Sequence, residues 1–242
     1  MGQTALITGA SKRVGRAIAE HLAANGWDLA IHFNQSKKEA TLLAEKLRKL
    51  YPHSRVEIFE ANLGNLTEVL PLVETVQEKF GDLYLLVNNA SVFNKGTLKG
   101  TTPELFDKQL DVNLKAPFFL MRAFALHCKK GNIINLTDTR VTTNKFDYAA
   151  YSLSKKGLWD ITKMAALELA PDIRVNAIAP GVTLPPEGKK VAYIEKLAEH
   201  IPMKKPGGVQ PILQSIDFIL SNSNLTGQLL FADGGENLGN YE

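Results

Sequence analysis

Tyr151 and Lys155 stand four residues apart in the segment Tyr151-Ser152-Leu153-Ser154-Lys155, a spacing that places both side chains on one face of a helix. A lysine ammonium beside a phenol favours the phenolate and lowers the phenol's pKa, which makes the tyrosine a better general acid near neutral pH. An apolar period continues through Leu158, Ile161, Ala165 and Leu169 and stops at Pro171, so the spacing predicts the helix that the pair needs. Tyr and Lys four apart are common on helices and are usually decorative, so the pair gains weight only from its surroundings. Cys128 is the single cysteine. It follows an apolar run, precedes Lys129 and Lys130 and has no partner, which excludes an intrachain disulfide and marks a helix-end residue rather than a nucleophile or metal ligand.

Such side chains must be held by regular elements. Short β-branched or apolar runs recur at 4–8, 29–33, 55–61, 83–88, 132–137, 174–179 and 229–232, separated by longer segments of helical period. That alternation predicts an α/β fold, a doubly wound (Rossmann-type) parallel sheet of about seven strands with helices on both faces. The unbroken apolar character of Ala5-Leu6-Ile7 and Leu85-Leu86-Val87 fits strands covered on both sides. Ligands are then expected beyond the carboxyl ends of the strands, where the strand order reverses. The 18 Gly and 11 Pro are scattered rather than gathered into a linker, so one domain over 1–242 is expected. The net charge of +3 comes from dispersed lysines and arginines; that is a solvated face, and no nucleic-acid partner is expected. No run of roughly 18 uncharged apolar residues exists, so no membrane span is expected. The absence of an apolar leader after Met1, with the single cysteine, points to the cytoplasm.

The first run leads into Thr8-Gly9-Ala10-Ser11-Lys12-Arg13-Val14-Gly15, after which helical spacing begins. Gly9 permits a tight turn, Gly15 permits close backbone packing, and the N–H groups at the helix start, with Val14 among them, can hold a pyrophosphate. A glycine-rich turn alone is weak evidence; its place after the first strand strengthens it. The pattern resembles the short-chain dehydrogenase/reductase family, whose loop reads TGxxxGxG, with Arg13 here at the middle glycine. A guanidinium there brings a cation and a donor fork toward phosphate oxygens; the plain alternative is a solvent-exposed arginine at a tolerant turn. The second run ends in His32-Phe33-Asn34-Gln35-Ser36, with no acidic residue to bind ribose hydroxyls. His32, Asn34 and Ser36 can donate to a 2′-phosphate and Lys37 adds charge, so NADPH is expected over NADH; ordinary strand-end polar residues are the alternative. The family resemblance implies that Asn62 and Leu63 line the adenine, Asn62 standing where the family usually has Asp.

The resemblance covers essentially the whole chain. Asn88-Asn89-Ala90, Asn113, Tyr151-x-x-x-Lys155 and Pro180-Gly181-Val182 match in order and spacing the family's NNAG, catalytic Asn, YxxxK and PG elements. It implies that Tyr151 donates the proton, Lys155 also holds the nicotinamide ribose, Asn113 holds a water-mediated proton relay, and Asn89, Ala90, Pro180, Gly181 and Val182 line the cofactor. Two departures are informative. Asp138 stands where the family commonly places Ser; an ionised carboxylate only accepts hydrogen bonds and would repel a developing alkoxide, whereas a protonated one could donate. It suits a substrate that presents N–H groups or gains a proton on nitrogen. Ser91 replaces the glycine after NNA, and Phe93 either stacks on a flat heteroaromatic ring or packs its own loop. Arg13, Ser91, Phe93, Asp138, Tyr148, Tyr151 and Lys155 together resemble the pteridine reductases and bacterial dihydromonapterin (dihydrofolate) reductases. That resemblance implies NADPH-dependent reduction of a C=N bond in a dihydropterin or folate, held by Arg13, Ser91, Phe93, Asp138, Tyr148 and Tyr151, with the stretch 182–188 closing over it. Carbonyl reduction, as by a 3-oxoacyl-thioester reductase, and a non-catalytic NADPH-binding regulator are the competing functions. Relatives imply a homotetramer formed through the helix containing Pro117-Phe118-Phe119-Leu120 and the helix from Tyr148.

Overall fold

A computed structural model describes residues 2–185 and 188–239. All seven expected runs are strands: β1 Thr4–Ile7, β2 Asp28–Phe33, β3 Val56–Glu60, β4 Leu83–Asn88, β5 Gly131–Leu136, β6 Ile173–Pro180 and β7 Leu229–Ala232. They form one sheet in the order β3-β2-β1-β4-β5-β6-β7, every neighbouring pair parallel. The helices between them are α1 Arg13–Ala24, α2 Lys37–Leu50, α3 Leu66–Val69, α4 Leu72–Phe80, α5 Pro103–Leu110, α6 Ala116–His127, α7 Ala149–Leu169, α8 Val191–Ala198 and α9 Gln210–Ser221.

Successive strand side chains point to opposite faces, and the two cores follow that alternation. Ala5, Ile7, Leu29, Ile31, Leu85 and Val87 pack with α1, α2 and α9 through Ile18, Leu22, Leu43, Leu47, Ile212 and Ile216. Leu6, Ala30, Leu86, Ile133 and Val175 pack with α4, α6 and α7 through Val73, Val76, Leu120, Phe124 and Ala166. Both faces of the central strands are therefore covered, which is why β1 and β2 carry no polar alternation. The order reverses between β1 and β4, and the carboxyl ends of those strands diverge there into the loops that form the site.

Three local features aim residues at that edge. Asp111–Lys115, between α5 and α6, is a single π-helical turn, a widening of the helix that is frequent at functional sites, and it carries Asn113. Between β4 and α5 the chain is irregular, and it is laced to the start of α7: Gly96 N–H donates to Asp147 O at 3.0 Å and Ala149 N–H to Gly96 O at 2.9 Å. Cys128 caps α6 and is buried, its thiol pushed up to about 12 by burial, so it stands at a helix end as expected. Of the stretch 182–188, Pro186 and Glu187 lie outside the described residues.

Leu86, wholly buried at the sheet centre, tests the packing. Leu86→Ala is expected to cost about 2–5 kcal/mol, read as a lower urea midpoint with unchanged slope.

Candidate active site

Helix α7 meets the exit of β5 through two hydrogen bonds. Lys155 Nζ donates to Leu136 O at 2.7 Å, and one helical turn earlier Tyr151 Oη donates to Asp138 Oδ2 at 2.7 Å. Asp138 Oδ1 accepts from the Arg140 N–H at 2.9 Å, capping the short 3₁₀ turn Thr139–Val141, so the carboxylate faces the phenol with its other oxygen. Burial lowers the Lys155 ammonium to about 8, against a smaller upward pull from Asp138.

The expectation that Lys155 lowers the phenol's pKa is corrected here. Burial, then the charge and hydrogen bond of Asp138, raises Tyr151 well above the ordinary phenol value. The ammonium is spent on Leu136 O and lies 5.9 Å from the ring centroid of Tyr151. Tyr151 is thus a fully protonated donor whose present acceptor is a carboxylate.

Buried amides set the register of these parts. Asn88 Nδ2 donates to Asn135 Oδ1 at 2.8 Å, and Asn135 Nδ2 donates to Thr162 Oγ1 at 2.8 Å, tying β4, β5 and α7 together. Asn113 is fully buried. Its Oδ1 accepts from Val92 N at 2.8 Å and Ser91 Oγ at 3.1 Å, and its Nδ2 donates to Val92 O at 2.9 Å and Ser154 Oγ at 3.2 Å. Asn113 therefore clamps the β4 exit against α7 and makes no hydrogen bond to Tyr151 or Lys155. Ser91, expected to meet cofactor or substrate, spends its hydroxyl on this clamp.

That clamp delivers Phe93. Its ring stacks on Tyr148, centroids 4.2 Å apart and planes 5° apart, and meets Tyr151 edge-on at 4.6 Å; half of Phe93 is exposed. Phe93 thus packs against its own surroundings and keeps half of its surface open. Arg140, which the sequence did not single out, lies over Tyr148 at 4.5 Å from the centroid, 3.8 Å from Asp138 Oδ1 and 3.7 Å from Asp147 Oδ1. Its only sequence signal is its place two residues after Asp138. Phe93, Arg140, Asp147 and Tyr148 line a cleft of ≈ 730 Å³ that also takes in Lys95, Lys145, Gly181, Val182, Leu184, Tyr193, Leu197 and Glu236, while Asp138 and Tyr151 lie behind Phe93 and Arg140 and are not part of its lining.

A second cleft, ≈ 580 Å³, is lined by Gly9, Arg13, Val14, Gly15, Asn34, Ser36, Asn62, Leu63, Asn89, Ala90 and Ser91. The two adjoin at the β4 exit, where Ser91 and Val92 line the one and Phe93 the other. Gly9 has φ +63, and a Cβ on Gly15 would lie 2.3 Å from Gly9 O and 2.5 Å from Asn89 Nδ2. Only bare backbone fits at Gly15, the close packing that a pyrophosphate-binding turn demands. Asn89 Nδ2 donates to Thr8 O at 2.7 Å, and the Asn89 and Ala90 N–H groups donate to Thr8 Oγ1 at 2.9 and 3.0 Å, so the two loops are tied together. Ser36 Oγ lies 2.6 Å from Ser11 Oγ, and Asn34 Nδ2 donates to Asn62 Oδ1 at 3.5 Å; these stay at the wall. Pro180 ends β6 beside Ala232, and Gly181 and Val182 face the larger cleft instead of this one.

His32 is a correction. It is 1% exposed; Gly9 N–H donates to its Nδ1 at 3.0 Å and its Nε2 lies 3.0 Å from Ala61 O. Only the neutral Nε2–H tautomer satisfies both partners, and burial holds the imidazole down to about 4. His32 braces the glycine turn and has no donor left for a phosphate. Arg13 lines the smaller cleft, and its guanidinium donates to Pro185 O at 2.7 Å and Leu184 O at 3.3 Å, within the stretch 182–188 expected to close.

The dinucleotide cradle, the phenol–ammonium pair on α7 and the order of the sheet agree with what comparison with known proteins finds. Residues 9–237 match the family model described as enoyl-(acyl carrier protein) reductase. The chain belongs to the short-chain dehydrogenase/reductase family. A curated relative, the 3-oxoacyl-[acyl-carrier-protein] reductase FabG of Staphylococcus epidermidis, is 32% identical over 97% of this chain and 99% of its own. Among solved structures, FolM alternative dihydrofolate reductase 1 of Brucella canis, complexed with NADP, superposes with TM-score 0.90 at 33% identity, over 98% of this chain and 95% of that one. The Brucella suis FolM, also with NADP, gives TM-score 0.93 at 32% identity, over 99% and 96%. This short-chain oxidoreductase thus combines a glycine-turn cleft with a carboxyl group bonded to the Tyr151 phenol.

Arg13 has φ +54, a left-handed backbone that glycine adopts freely and other L-residues adopt at a cost. That explains the glycine usual at this position. Arg13→Gly and Arg13→Ala both remove the guanidinium, and only the alanine keeps the strained Cβ. The glycine variant is expected to be the more stable by about 1 kcal/mol, measured by chemical denaturation.

Proposed function

We propose that this protein uses NADPH to reduce a C=N bond in a dihydropterin, with Tyr151 as the proton donor. The observation that carries the reading is the 2.7 Å hydrogen bond from Tyr151 Oη to Asp138, beside the Phe93–Tyr148 aromatic wall. The two Brucella neighbours, named as alternative dihydrofolate reductases with NADP, support it. Bound NADPH supplies the hydride. The smaller cleft fits that cofactor: the Gly9 turn would meet the pyrophosphate, and Asn34 and Ser36, with Lys37 next in the chain, would meet the 2′-phosphate, no acidic side chain ending β2 to repel it. Glu39 lines the same cleft with its carboxylate on Lys12 Nζ at 2.8 Å, which offsets its charge.

A flat pterin lies along Phe93, and Asp138 accepts from its N–H groups. As hydride reaches the ring carbon, the adjacent nitrogen takes the Tyr151 proton in place of the carboxylate. The raised pKa of Tyr151 keeps that proton on oxygen until then; the charge of Arg140 favours the phenolate left behind, and the Lys155 ammonium would hold the nicotinamide ribose. Carbonyl reduction is the activity named for the FabG relatives. Asp138 opposes it, because an anion beside a developing alkoxide raises the barrier. In the same reading 1–242 is one cytoplasmic domain that assembles as a homotetramer through α6 and α7, where Phe118, Leu126, Leu153 and Leu167 lie exposed. Among the described residues no helix is long and apolar enough to cross a membrane.

A steady-state panel of dihydropterins and an acetoacetyl thioester checks the assignment. Tyr151→Phe is expected to lose about 10²–10⁴ in turnover with NADPH binding retained, and Asp138→Ser to lose dihydropterin turnover selectively. Thioester turnover faster than dihydropterin turnover in the parent enzyme would reverse the choice. The pH profile is a separate check. Lys155 carries its charge below about 8, so kcat/KM, which reports the free enzyme, is expected to fall as pH rises through that value.

A further inference from the structure

The Arg140 side chain is only 14% exposed and lies between two aromatic rings and two carboxylates. Its guanidinium carbon sits 4.5 Å from the Tyr148 centroid and 5.6 Å from that of Phe93. Nε is 3.8 Å from Asp138 Oδ1 and Nη1 is 3.7 Å from Asp147 Oδ1, distances at which charges interact but no hydrogen bond forms. Nη1 is buried without a hydrogen-bond partner, a costly arrangement for a side chain that only braces loops. What the fold keeps there is a cation beside the carboxylate that faces the proton donor. The main chain of the same residue works to the same end. The Arg140 N–H donates to Asp138 Oδ1 at 2.9 Å, so backbone and guanidinium both address one oxygen, and Oδ2 is left to Tyr151 Oη.

Loss of the Tyr151 proton creates a second anion at hydrogen-bond distance from the Asp138 carboxylate, and like charges that close oppose ionisation. Arg140 offsets part of that repulsion, because its charge pulls Tyr151 toward the phenolate, whereas the Lys155 ammonium is committed to Leu136 O. The other charges nearby are directed elsewhere. Lys95 lies over Tyr148 at 5.9 Å. Glu236 is pushed toward its neutral form by burial and then by Asp138, against the pull of Lys145 and Arg140. We propose that Arg140 is a positioning residue of the reaction: it pins Oδ1 of Asp138 so that Oδ2 faces the phenol, and its charge lets Tyr151 release a proton beside a carboxylate. The role rests on the proposed pterin reduction with Tyr151 as proton donor, and it is indifferent to the side chain the pterin carries. Arg140 acts through Asp138 and Tyr151, so its contribution appears in kcat rather than in KM.

A double-mutant cycle tests the role. Dihydrobiopterin reduction at saturating NADPH is measured in the parent enzyme, in Arg140→Gln, in Arg140→Lys, and in Tyr151→Phe with and without Arg140→Gln, the slow variants by single turnover with enzyme in excess. Arg140→Gln is expected to lower kcat by about tenfold or more, with KM and NADPH affinity within about twofold of the parent. Arg140→Lys, which keeps the charge, recovers most of that loss. In the Tyr151→Phe background the same glutamine costs less than about twofold, because no phenol is left for the charge to serve. An equal loss in both backgrounds, or equal losses for lysine and glutamine, is what a purely structural arginine gives; either overturns the role and leaves pterin reduction standing. Absence of dihydropterin turnover in the parent enzyme overturns the pterin reading and this role with it.

Discussion

A buried ammonium organises this active site. Lys155 gives up water to bond the Leu136 carbonyl at the end of β5, and a desolvated charge must be met by well-placed polar partners. That bond fixes the rotation of α7 against the sheet edge. One turn back along the helix and two residues on along the strand exit, Tyr151 and Asp138 are then brought into register as a second rung. Displacing either rung would leave a buried polar group unmatched, so the phenol is held in one place.

Around this ladder the fold spends polar side chains on position more than on contact with ligands. Asn88, Asn135 and Thr162 link two strands to α7; Asn113 clamps the β4 exit; His32 braces the glycine turn. Each is buried, and each finds partners because a lone buried amide or imidazole is costly. The aromatic wall depends on the same bracing: Phe93 reaches Tyr148 because the clamped β4 exit and the lacing of Gly96 to residues 147–149 bring the two loops together.

Much of this was legible from residue order. The seven apolar runs each became a strand because the helices cover both sheet faces, and no competing period was present. The Gly9–Gly15 turn and the Tyr151–Lys155 spacing are local patterns whose backbone demands can be read within a few residues. Arg140 was missed because its importance arises from Tyr148, Asp138 and Asp147 meeting around it, which no local pattern announces. His32 was misjudged because a polar residue at a strand end looks like a ligand donor until its burial is known.

The sequence by itself determined the doubly wound sheet, the glycine turn after β1 and the placing of Tyr151 and Lys155 on one helix, since periodicity, glycine placement and helical spacing are short-range properties. The tertiary structure alone decided the sign of the tyrosine's pKa shift. Charge effects depend on distance and burial: Lys155 is near in sequence but spent on Leu136, and Asp138 is distant but bonded to the phenol. The carboxylate and the loss of water therefore outweigh the ammonium, and Tyr151 keeps its proton.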